Sequence, residues 1–378
     1  MNIAIFSDTF PPQINGVANV VALSEKSLRK RGHNVQIFTA SDSMSFPFLG
    51  YPGERVALPT GSIYKKVKSF NPDVIHTHTP FGVGWEAVWS AHFLDVPLVG
   101  THHTFFDQYL KHVHFDFDWS RELSWKYVAK YYNNCDIITS PSNVLIKDML
   151  ANGAQKKIIY LPNAVDTGFF SPAAKAVRFV LKDKFGIRGL SAVYMGRLSY
   201  EKSIEQVIKA FSLVEKKISD ASLLIIGDGP EKAKLQEQCA KLGLQGVIFT
   251  GVLRGQVLVS ALQAADVFVS ASKSENMPLS ILEAMATGLP VVGVRALGIP
   301  EIVEHEKNGF IVSPDSPKEL AEKISELLLD EKLRTKFSAN SRERALSFGE
   351  EEITRQLEEI YRSAISGFKA SHNKNKTI

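Results

Sequence analysis

Short buried strands alternate with helices along almost the whole of this 378-residue chain, and this alternation limits the fold more than any other feature. Apolar runs such as IAIFS, DVIHTH and DIITS are separated by helical stretches in the first part of the chain. After the segment NAVDTGFFSPAAK the alternation restarts with SAVYMGRL and ASLLIIGDGP. Uninterrupted apolar strands separated by helices are typical of parallel sheets that are buried on both faces. The pattern therefore predicts an α/β fold with two doubly wound parallel-sheet domains.

The domain boundaries follow from the point at which the pattern restarts. We expect an N-terminal domain over residues 1–168, a C-terminal domain over residues 169–349, and a closing helix over residues 350–368 that can cross back to the first domain. The polar residues 369–378 are expected to fray. Ligands of doubly wound sheets bind outside the carboxyl ends of the strands, so two such domains facing each other would place a cleft between their sheets.

Composition narrows the class of protein. A net charge of +4 is only mildly basic and does not favour a nucleic acid partner. The two cysteines, Cys135 and Cys239, support neither a disulfide framework nor a thiolate metal site, so we expect a reducing compartment. The chain starts directly as an apolar strand, and no window approaches eighteen uninterrupted apolar residues, so we expect neither an export signal nor a spanning helix. Attachment to a membrane surface stays open.

The segment SKSENMPLSILEAMATGLPVVG, residues 272–293, is the most informative motif. Glu275 leaves a strand into a turn, the following backbone supplies amide donors at a helix start, and Glu283 lies about one turn inside that helix. A carboxylate in the turn can bind sugar hydroxyls, free amides can bind phosphate, and the helical carboxylate can take a ribose diol. The alternative is a capped helix with solvated acids.

Two cations follow the first strand of the second series. In GRLSYEK, Arg197 and Lys202 lie just beyond SAVYM, at the carboxyl end of the second sheet. A guanidinium can bind phosphate bidentately and an ammonium adds a point charge, so the pair suits a diphosphate leaving group. The alternative is a surface ion-pair network with Glu201.

Two glycine-containing loops also lie at strand ends. PPQINGVANVV places Gly16 between the first strand and the first helix, which is typical of a loop that approaches phosphate. It is not a G-x-G-x-x-G fingerprint, so a dinucleotide cofactor is not indicated, and a lone glycine can also mark only a turn. GDGP at 227–230 is a tight turn at the end of another strand.

Histidines and aspartates cluster in and before GTHHTFFDQYLKHVHFDFDW, which suggests a metal site. We expect His76 and His78 to point to opposite faces of their strand, and His102 and His103 to diverge in the same way. Asp116 and Asp118 lie well past the strand end. The ligands would then not converge, so we predict no bound metal.

Taken in order along the chain, these motifs resemble those of retaining glycosyltransferases of the GT-B fold, in the large group 1 family that is also called family 4. The resemblance rests on the E-x7-E spacing of Glu275 and Glu283 and on a series that includes FSDTFPPQINGVANVV, THHTFF, MGRLSYEKSIEQVIKAF and LGIPEIVEHEKNGFIV. THHTFFDQYL is similar to the corresponding segment of diacylglycerol glucosyltransferases and phosphatidylinositol mannosyltransferases.

The resemblance implies a role for each matching residue. His103 would donate a hydrogen bond to the sugar and, with Arg197, Lys202 and Glu275, would form the catalytic group. Gly16 would lie in a loop that closes over the diphosphate. The implied donor-binding residues are Gly16, Arg197, Lys202, Glu275, Asn276, Met277, Leu279 and Glu283. The implied acceptor-side residues are His102, Phe105 and Tyr109.

The implied reaction is transfer of a hexose from a nucleotide sugar, with UDP-glucose favoured, to a membrane lipid such as diacylglycerol. The resemblance implies retention, no cofactor and no required divalent metal, because the two cations can replace it. Basic residues among aromatics would suit an anionic membrane surface, which implies a cytoplasmic, peripheral location on the inner face of the cell membrane. These are Lys65, Lys66, Lys68, Lys111, Lys126 and Lys130.

Other functions stay open. The acceptor can be phosphatidylinositol with GDP-mannose as donor, or a soluble sugar phosphate or inositol phosphate. A chain with this fold can also bind a nucleotide sugar without catalysis, and the histidines can make a metalloenzyme. Pro278 departs from the family's usual donor motif and removes one amide donor, so the hexose is open as well. Ala164 replaces the family's usual glycine, which changes a turn.

Overall fold

The computed structural model of the protein describes residues 1–11, 13, 15–47, 55–105 and 117–375. The chain divides into two units, which are described separately below. Unit 1 consists of Met1–Ala164 together with Glu350–Ile378, and unit 2 consists of Val165–Gly349.

Unit 1 is built around a six-stranded parallel sheet with the order β2-β1-β5-β6-β7-β8. A short antiparallel pair, β3 with β4, interrupts the alternation. The strands are β1 (Asn2–Phe6), β2 (Asn34–Phe38), β3 (Ser45–Pro47), β4 (Arg55–Ala57), β5 (Val74–Thr77), β6 (Leu98–Thr101), β7 (Ile137–Ser140) and β8 (Ile158–Tyr160). The connecting helices are α1 (Gly16–Lys30), α2 (Tyr64–Phe70), α3 (Gly82–Leu94), α4 (Asp118–Tyr132) and α5 (Asn143–Ala151).

Unit 2 contains a second six-stranded parallel sheet with the order β11-β10-β9-β12-β13-β14. The strands are β9 (Ser191–Met195), β10 (Ser222–Ile226), β11 (Val247–Gly251), β12 (Val267–Ser270), β13 (Val291–Val294) and β14 (Gly309–Val312). The helices are α6 (Lys175–Lys184), α7 (Ile204–Lys217), α8 (Lys232–Lys241), α9 (Gly255–Ala264), α10 (Leu279–Ala286), α11 (Ile299–Ile302), α12 (Pro317–Leu329) and α13 (Glu331–Leu346). A 3₁₀ turn spans Tyr200–Lys202.

The predicted α/β architecture, with one parallel sheet in each unit, is confirmed. Seven of the strands are buried along their whole length, as expected for sheets that are covered on both faces: β5, β6, β7, β10, β12, β13 and β14. In each sheet the strand order reverses once, between β1 and β5 in unit 1 and between β9 and β12 in unit 2. Crevices at such reversals are where doubly wound sheets bind ligands.

The last helix, α14 (Glu350–Asn375), belongs to unit 1 although it follows unit 2 in the chain. It continues past the predicted end at residue 368. Ile353, Leu357 and Ile360 pack into the same cluster as Ile3 and Ile5 of β1. The helix therefore completes the apolar cover on one face of this sheet.

A buried carboxylate also ties α14 to the N-terminal part of unit 1. Arg31 donates to both oxygens of Glu358, at 2.6 and 3.0 Å, and His33 Nε2 lies 2.8 Å from Oε1. The hydrogen bond from Arg31 is the main reason that the pKa of Glu358 falls to about 2.

Within the described part of the chain, no helix is long and apolar enough to cross a membrane. Cys135 and Cys239 are both buried free thiols, one in each unit.

Candidate functional site

The point where the strand order of unit 2 reverses carries a close charge pair. β9 and β12 are neighbouring parallel strands, so the loops that leave them start at the same edge of the sheet. Lys202 follows β9 and Glu275 follows β12, and Lys202 Nζ lies 2.6 Å from Glu275 Oε1. Each side chain keeps about a fifth of its surface exposed, at 22% for Lys202 and 20% for Glu275. The fold thus brings two of the predicted site residues into direct contact at an accessible position.

Arg197 leaves the same strand as Lys202, and its side chain is exposed. The turn that carries it is held by its neighbours. The Tyr194 hydroxyl donates to the Arg197 carbonyl at 3.2 Å, and the Leu198 amide donates to the Asp228 carbonyl at 2.9 Å. Glu201, the predicted alternative ion-pair partner, accepts a hydrogen bond from Ser199 instead.

The GDGP turn supports the turn that carries Arg197. A Cβ on Gly227 would lie 1.9 Å from the Gly196 carbonyl oxygen, and one on Gly229 would lie 2.4 Å from that of Leu198. Only glycine allows two backbones to approach this closely. The turn is therefore more than a chain reversal, because it fixes the path of residues 196–198 beside the charge pair.

The turn before α10 is constrained in a similar way. Gly298 donates its amide to the Glu275 carbonyl at 3.1 Å, and a Cβ there would lie 1.5 Å from the Asn276 carbonyl oxygen. Asn276 and Met277 are buried, so this turn is anchored in the unit. α10 then begins at Leu279 without a side-chain cap, and the first amides of a helix have no partner within it. The amides of residues 279 and 280 belong to that first turn.

Glu283 lies one turn inside α10 and is half-buried. Burial raises the pKa of its carboxyl to about 8. Among the residues that the structure describes, none donates a hydrogen bond to this carboxylate. A diol that supplied two hydroxyl donors would therefore stabilise its ionised form.

In unit 1 the predicted His103 lies at the end of β6, beside the end of β5. His78 Nδ1 is 2.9 Å from His103 Nε2, and the two rings stack with their centroids 5.2 Å apart. The His76 ring lies 4.1 Å from that of His78. The expectation that His76 and His78 point to opposite faces was wrong, because residues two apart in a strand share a face. The sequence analysis did not place His78 next to His103, and the period of two along β5 was the signal that His76 and His78 share a face.

His76 is held by hydrogen bonds on both sides. Its Nδ1 lies 2.7 Å from the Tyr361 hydroxyl of α14, and its Nε2 lies 2.6 Å from Thr101 Oγ1. Thr101 is in turn hydrogen-bonded to Thr139 at 2.6 Å. The chain of bonds fixes the His76 ring, and burial lowers its pKa to about 3.

His102 takes the opposite direction from His103, as expected for neighbouring residues in a strand. It is fully buried against Tyr132 and Trp125 of α4, with ring centroids 4.9 and 6.2 Å away. Phe105 is also buried. If His102 and Phe105 act on the acceptor side, they would therefore support the acceptor-binding surface from the protein interior and would not contact the acceptor. Tyr109, His112, His114 and Asp116 lie outside the described residues, and Asp118 is exposed at the start of α4.

No group of three or more His, Cys, Asp or Glu side chains in the described part of the chain is arranged to hold a metal ion. Gly16 begins α1, and the Asn15 side chain caps this helix by accepting from the Ala18 amide at 2.8 Å. A Cβ on Gly16 would meet nothing within 4 Å. No packing contact in the described structure therefore requires glycine at this position.

Several large apolar side chains on and next to α4 are exposed. Phe117, Trp119 and Leu123 expose 51%, 56% and 59% of their surface, and Trp119 and Leu123 lie one turn apart on the same face. Lys126 is on the same helix and pairs with Glu122 at 2.6 Å. Lys65, Lys66 and Lys68 lie on α2, and Lys111 falls outside the described residues.

Two parallel six-stranded sheets, with a lysine and carboxylate pair at the reversal point of the second, match solved glycosyltransferase structures of the GT-B type. Family models agree: "Glycosyltransferase Family 4" matches residues 14–169, and "Glycosyl transferases group 1" matches residues 183–344. The chain belongs to this family of glycosyltransferases.

Known relatives include the alpha-monoglucosyldiacylglycerol synthase of Streptococcus pneumoniae, which is 32% identical over 77% of this chain and 70% of that protein. The sulfoquinovosyl transferase of Arabidopsis thaliana is 30% identical over 96% of this chain and 74% of that protein. The solved structure of Anabaena HepE in complex with UDP has a TM-score of 0.77 and 21% identity, and it covers 96% of this chain and 100% of that one. At this identity the structural likeness shows the fold alone.

Proposed function

We propose that the protein is a retaining hexosyltransferase that moves glucose from UDP-glucose to a membrane lipid with a free hydroxyl, such as diacylglycerol. The contact between Lys202 and Glu275 carries the proposal, because it combines a phosphate-binding cation and a hydroxyl-binding carboxylate at 2.6 Å. A nucleotide sugar carries a phosphate and sugar hydroxyls close together, so one ligand can contact both side chains.

Each residue of unit 2 has a part in the proposed reaction. Arg197 and Lys202 stabilise the diphosphate as negative charge develops on it, which is the role that a divalent ion has in other enzymes. Glu275 binds sugar hydroxyls, and Glu283 binds the ribose diol. The acceptor hydroxyl attacks from the side that the diphosphate leaves, so the anomeric configuration is retained. A phosphate oxygen of the leaving group accepts the proton from the acceptor.

Unit 1 binds the acceptor in this proposal. The exposed Phe117, Trp119 and Leu123 can enter the interface of a bilayer, where aromatic and aliphatic side chains are stabilised. Lys126 and the lysines of α2 would add attraction to anionic lipids, which supports a location at the inner face of the cell membrane. The relative from Streptococcus pneumoniae is, by its name, a synthase of a glucosylated diacylglycerol.

Mannosyl transfer from GDP-mannose is the second candidate. A GDP-mannose-dependent alpha-mannosyltransferase of Corynebacterium glutamicum is 27% identical over 97% of this chain and 90% of that protein. Both donors carry the diphosphate and the hydroxyls that Lys202 and Glu275 would bind. An experiment therefore has to determine which base and which hexose the donor carries.

The test is transfer from radiolabelled UDP-glucose or GDP-mannose to vesicles that contain diacylglycerol or phosphatidylinositol, with and without EDTA. We expect label from UDP-glucose in the organic phase with diacylglycerol vesicles, unchanged by EDTA, and an α-anomer by NMR of the product. Label that stays in the aqueous phase would contradict a lipid acceptor. Binding of a nucleotide sugar without transfer would indicate a binding protein.

Membrane attachment is tested by vesicle co-sedimentation of Trp119→Ser. We expect weaker binding to anionic vesicles than for the unmodified protein. Phe179→Ser is the matched control, because Phe179 is 78% exposed on α6 in unit 2. Equal binding of both variants would contradict attachment through α4.

A further inference from the structure

The point where the strand order of unit 1 reverses carries a buried carboxylate that the proposed reaction does not use. Asp8 follows β1 and Thr79 follows β5, and these neighbouring parallel strands end at the same edge of the sheet. Asp8 is only 7% exposed. Because the order reverses between β1 and β5, Asp8 borders the crevice in which a sheet of this kind binds its ligand.

Both oxygens of this carboxylate accept hydrogen bonds within unit 1. The Thr79 hydroxyl donates to Oδ2 at 2.5 Å, and the Asp8 amide donates to Thr79 Oγ1 at 3.1 Å. The Val83 amide, in the first turn of α3, donates to Oδ1 at 3.2 Å. Asp8 therefore caps α3, which has no side-chain cap from the residue before it. The hydrogen bonds also fix the position of the carboxylate at this edge.

No cation neutralises the charge of Asp8. In the part of unit 1 that the structure describes, its carboxylate is bonded to a hydroxyl and to backbone amides, and no lysine or arginine pairs with it. Burial raises the pKa of the carboxyl to about 6, so the group is mostly ionised above pH 7. The positive end of the α3 dipole offsets only about half of one charge. A negative charge thus remains beside the crevice, in surroundings that screen it weakly.

We propose that Asp8 is a specificity-determining residue that disfavours anionic acceptors and makes unit 1 selective for a neutral acceptor with a free hydroxyl. Like charges that are brought together in a weakly screened site repel each other, and a neutral acceptor avoids this repulsion. Diacylglycerol is neutral, whereas phosphatidylinositol and the sugar or inositol phosphates are anionic. The inference rests on the proposed function, in which unit 1 binds the acceptor, and it distinguishes between the acceptors that the sequence leaves open.

The experiment compares Asp8→Asn with Asp136→Asn in the full chain at pH 7.5. Asparagine keeps the shape of the side chain and can accept from the Val83 amide, but it carries no charge. Asp136 is the matched control. It is exposed, accepts from the Leu98 amide at 2.8 Å and precedes β7, so it lies at the opposite edge of the same sheet.

The two acceptors are dioctanoylglycerol and dioctanoyl-phosphatidylinositol, used below the concentrations at which they form micelles. The charge of a membrane then does not enter the comparison. The first readout is the ratio of kcat/KM for the two acceptors with UDP-glucose as donor. The second is the affinity of the protein for each acceptor, measured by calorimetry without any transfer. Urea unfolding checks that the variants fold.

We expect the unmodified protein to prefer dioctanoylglycerol. Asp8→Asn should reduce this preference at least about tenfold, through better use of the phosphatidylinositol, because the repulsion by one weakly screened charge is lost. The affinities should change in the same direction, and Asp136→Asn should leave the preference within about twofold. Asp8→Ser is the second neutral variant, since a serine hydroxyl can also accept from the first turn of α3.

An unchanged preference in a folded neutral variant would overturn the inference, and a loss of stability alone would leave Asp8 as a structural cap. A preference of the unmodified protein for the phosphatidylinositol would overturn it too, and so would equal shifts in Asp8→Asn and Asp136→Asn. Absence of transfer to either acceptor would contradict the proposed function instead. The affinities measured in the same proteins would still support or overturn the role of Asp8.

Discussion

At the scale of single residues, the pair of Lys202 and Glu275 offers a direct mutational test. Lys202→Met removes the cation beside the proposed diphosphate, and we expect kcat/KM for transfer to fall at least about a hundredfold, because such cations act on charge that develops in the transition state. Stability should change by less than about 1 kcal/mol, since the pair is partly exposed. Transfer assays and urea unfolding measure the two effects.

Lys273→Met is the matched control for this prediction. Lys273 leaves the same strand as Glu275 and pairs with Asp315 at 2.9 Å on an exposed part of unit 2. It loses the same charge, and we expect transfer to stay within about twofold, as for an ordinary surface substitution. Equal losses of transfer activity in both variants would mean that activity depends on the net charge at this edge of the sheet and not on the pair of Lys202 and Glu275.

The raised pKa of the Glu283 carboxyl leads us to expect that donor binding depends on pH. The pKa of its carboxyl is raised to about 8, so the group is mostly protonated and neutral at pH 7. Hydroxyl donors of a ribose bind the ionised form best, so binding favours loss of this proton. The affinity for UDP-glucose should therefore rise between pH 6.5 and pH 8.5, by up to about tenfold per pH unit below the pKa.

Calorimetry checks this, because proton release makes the apparent binding enthalpy depend on the ionisation enthalpy of the buffer. In Glu283→Gln both the buffer dependence and the rise of affinity with pH should disappear. A flat pH profile in the unmodified protein would contradict the assignment of Glu283 to the ribose.

The sequence located most of these residues but did not pair them. Lys202 and Glu275 are far apart in the chain, and their contact depends on β9 and β12 being neighbours, which only the strand order reveals. The histidines show the opposite case. The side-chain period along β5 already implied that His76 and His78 share a face, so their interaction was predictable and the initial interpretation of the pattern was wrong.

At the scale of elements, glycines at loop crossings position the site in unit 2. Gly298→Ala would force a Cβ to within 1.5 Å of the Asn276 carbonyl oxygen, so the turn that carries Glu275 would have to shift. We expect a loss of about 1–3 kcal/mol in the free energy of unfolding, as for other overpacked sites, together with weaker transfer. Urea unfolding and the transfer assay measure both.

Gly367→Ala makes the same chemical change inside α14, where a Cβ would meet nothing within 4 Å. Because alanine favours helix, we expect the free energy of unfolding to rise by about 0.5–1 kcal/mol. Loss of stability in both variants, by similar amounts, would contradict the argument from close approach.

Elements on the outside of unit 2 show where prediction from the sequence failed. α12 and α13 follow each other without a strand between them, so they break the alternation from which the fold was predicted. α13 buries only Phe337, Ser341 and Ala345, so its apolar face is too narrow to stand out in the sequence. The central strands were predictable because they are continuous apolar runs.

At the scale of the whole molecule, the chain returns to unit 1 after completing unit 2, and this return predicts which parts lose stability together. Leu357 lies in α14, is 4% exposed and packs with Ile3 and Ile5 of β1. Leu357→Ala should lower the stability of unit 1 by about 2–5 kcal/mol, the usual cost of such a cavity. Amide hydrogen exchange should then become faster in β1 and β5, while exchange in β9 and β12 stays unchanged.

Leu327→Ala is the reciprocal variant. Leu327 is fully buried in α12, which belongs to unit 2, whereas Leu357 belongs to unit 1. It should speed exchange in β9 and β12 and leave β1 and β5 unchanged. If Leu357→Ala instead speeds exchange in β9 and β12, then α14 stabilises unit 2, which precedes it in the chain. The division into these two units would then not describe how the protein unfolds. If each substitution acts only in its own unit, residues 350–375 and residues 1–164 form one cooperative body, because Leu357 belongs to the same buried cluster as β1.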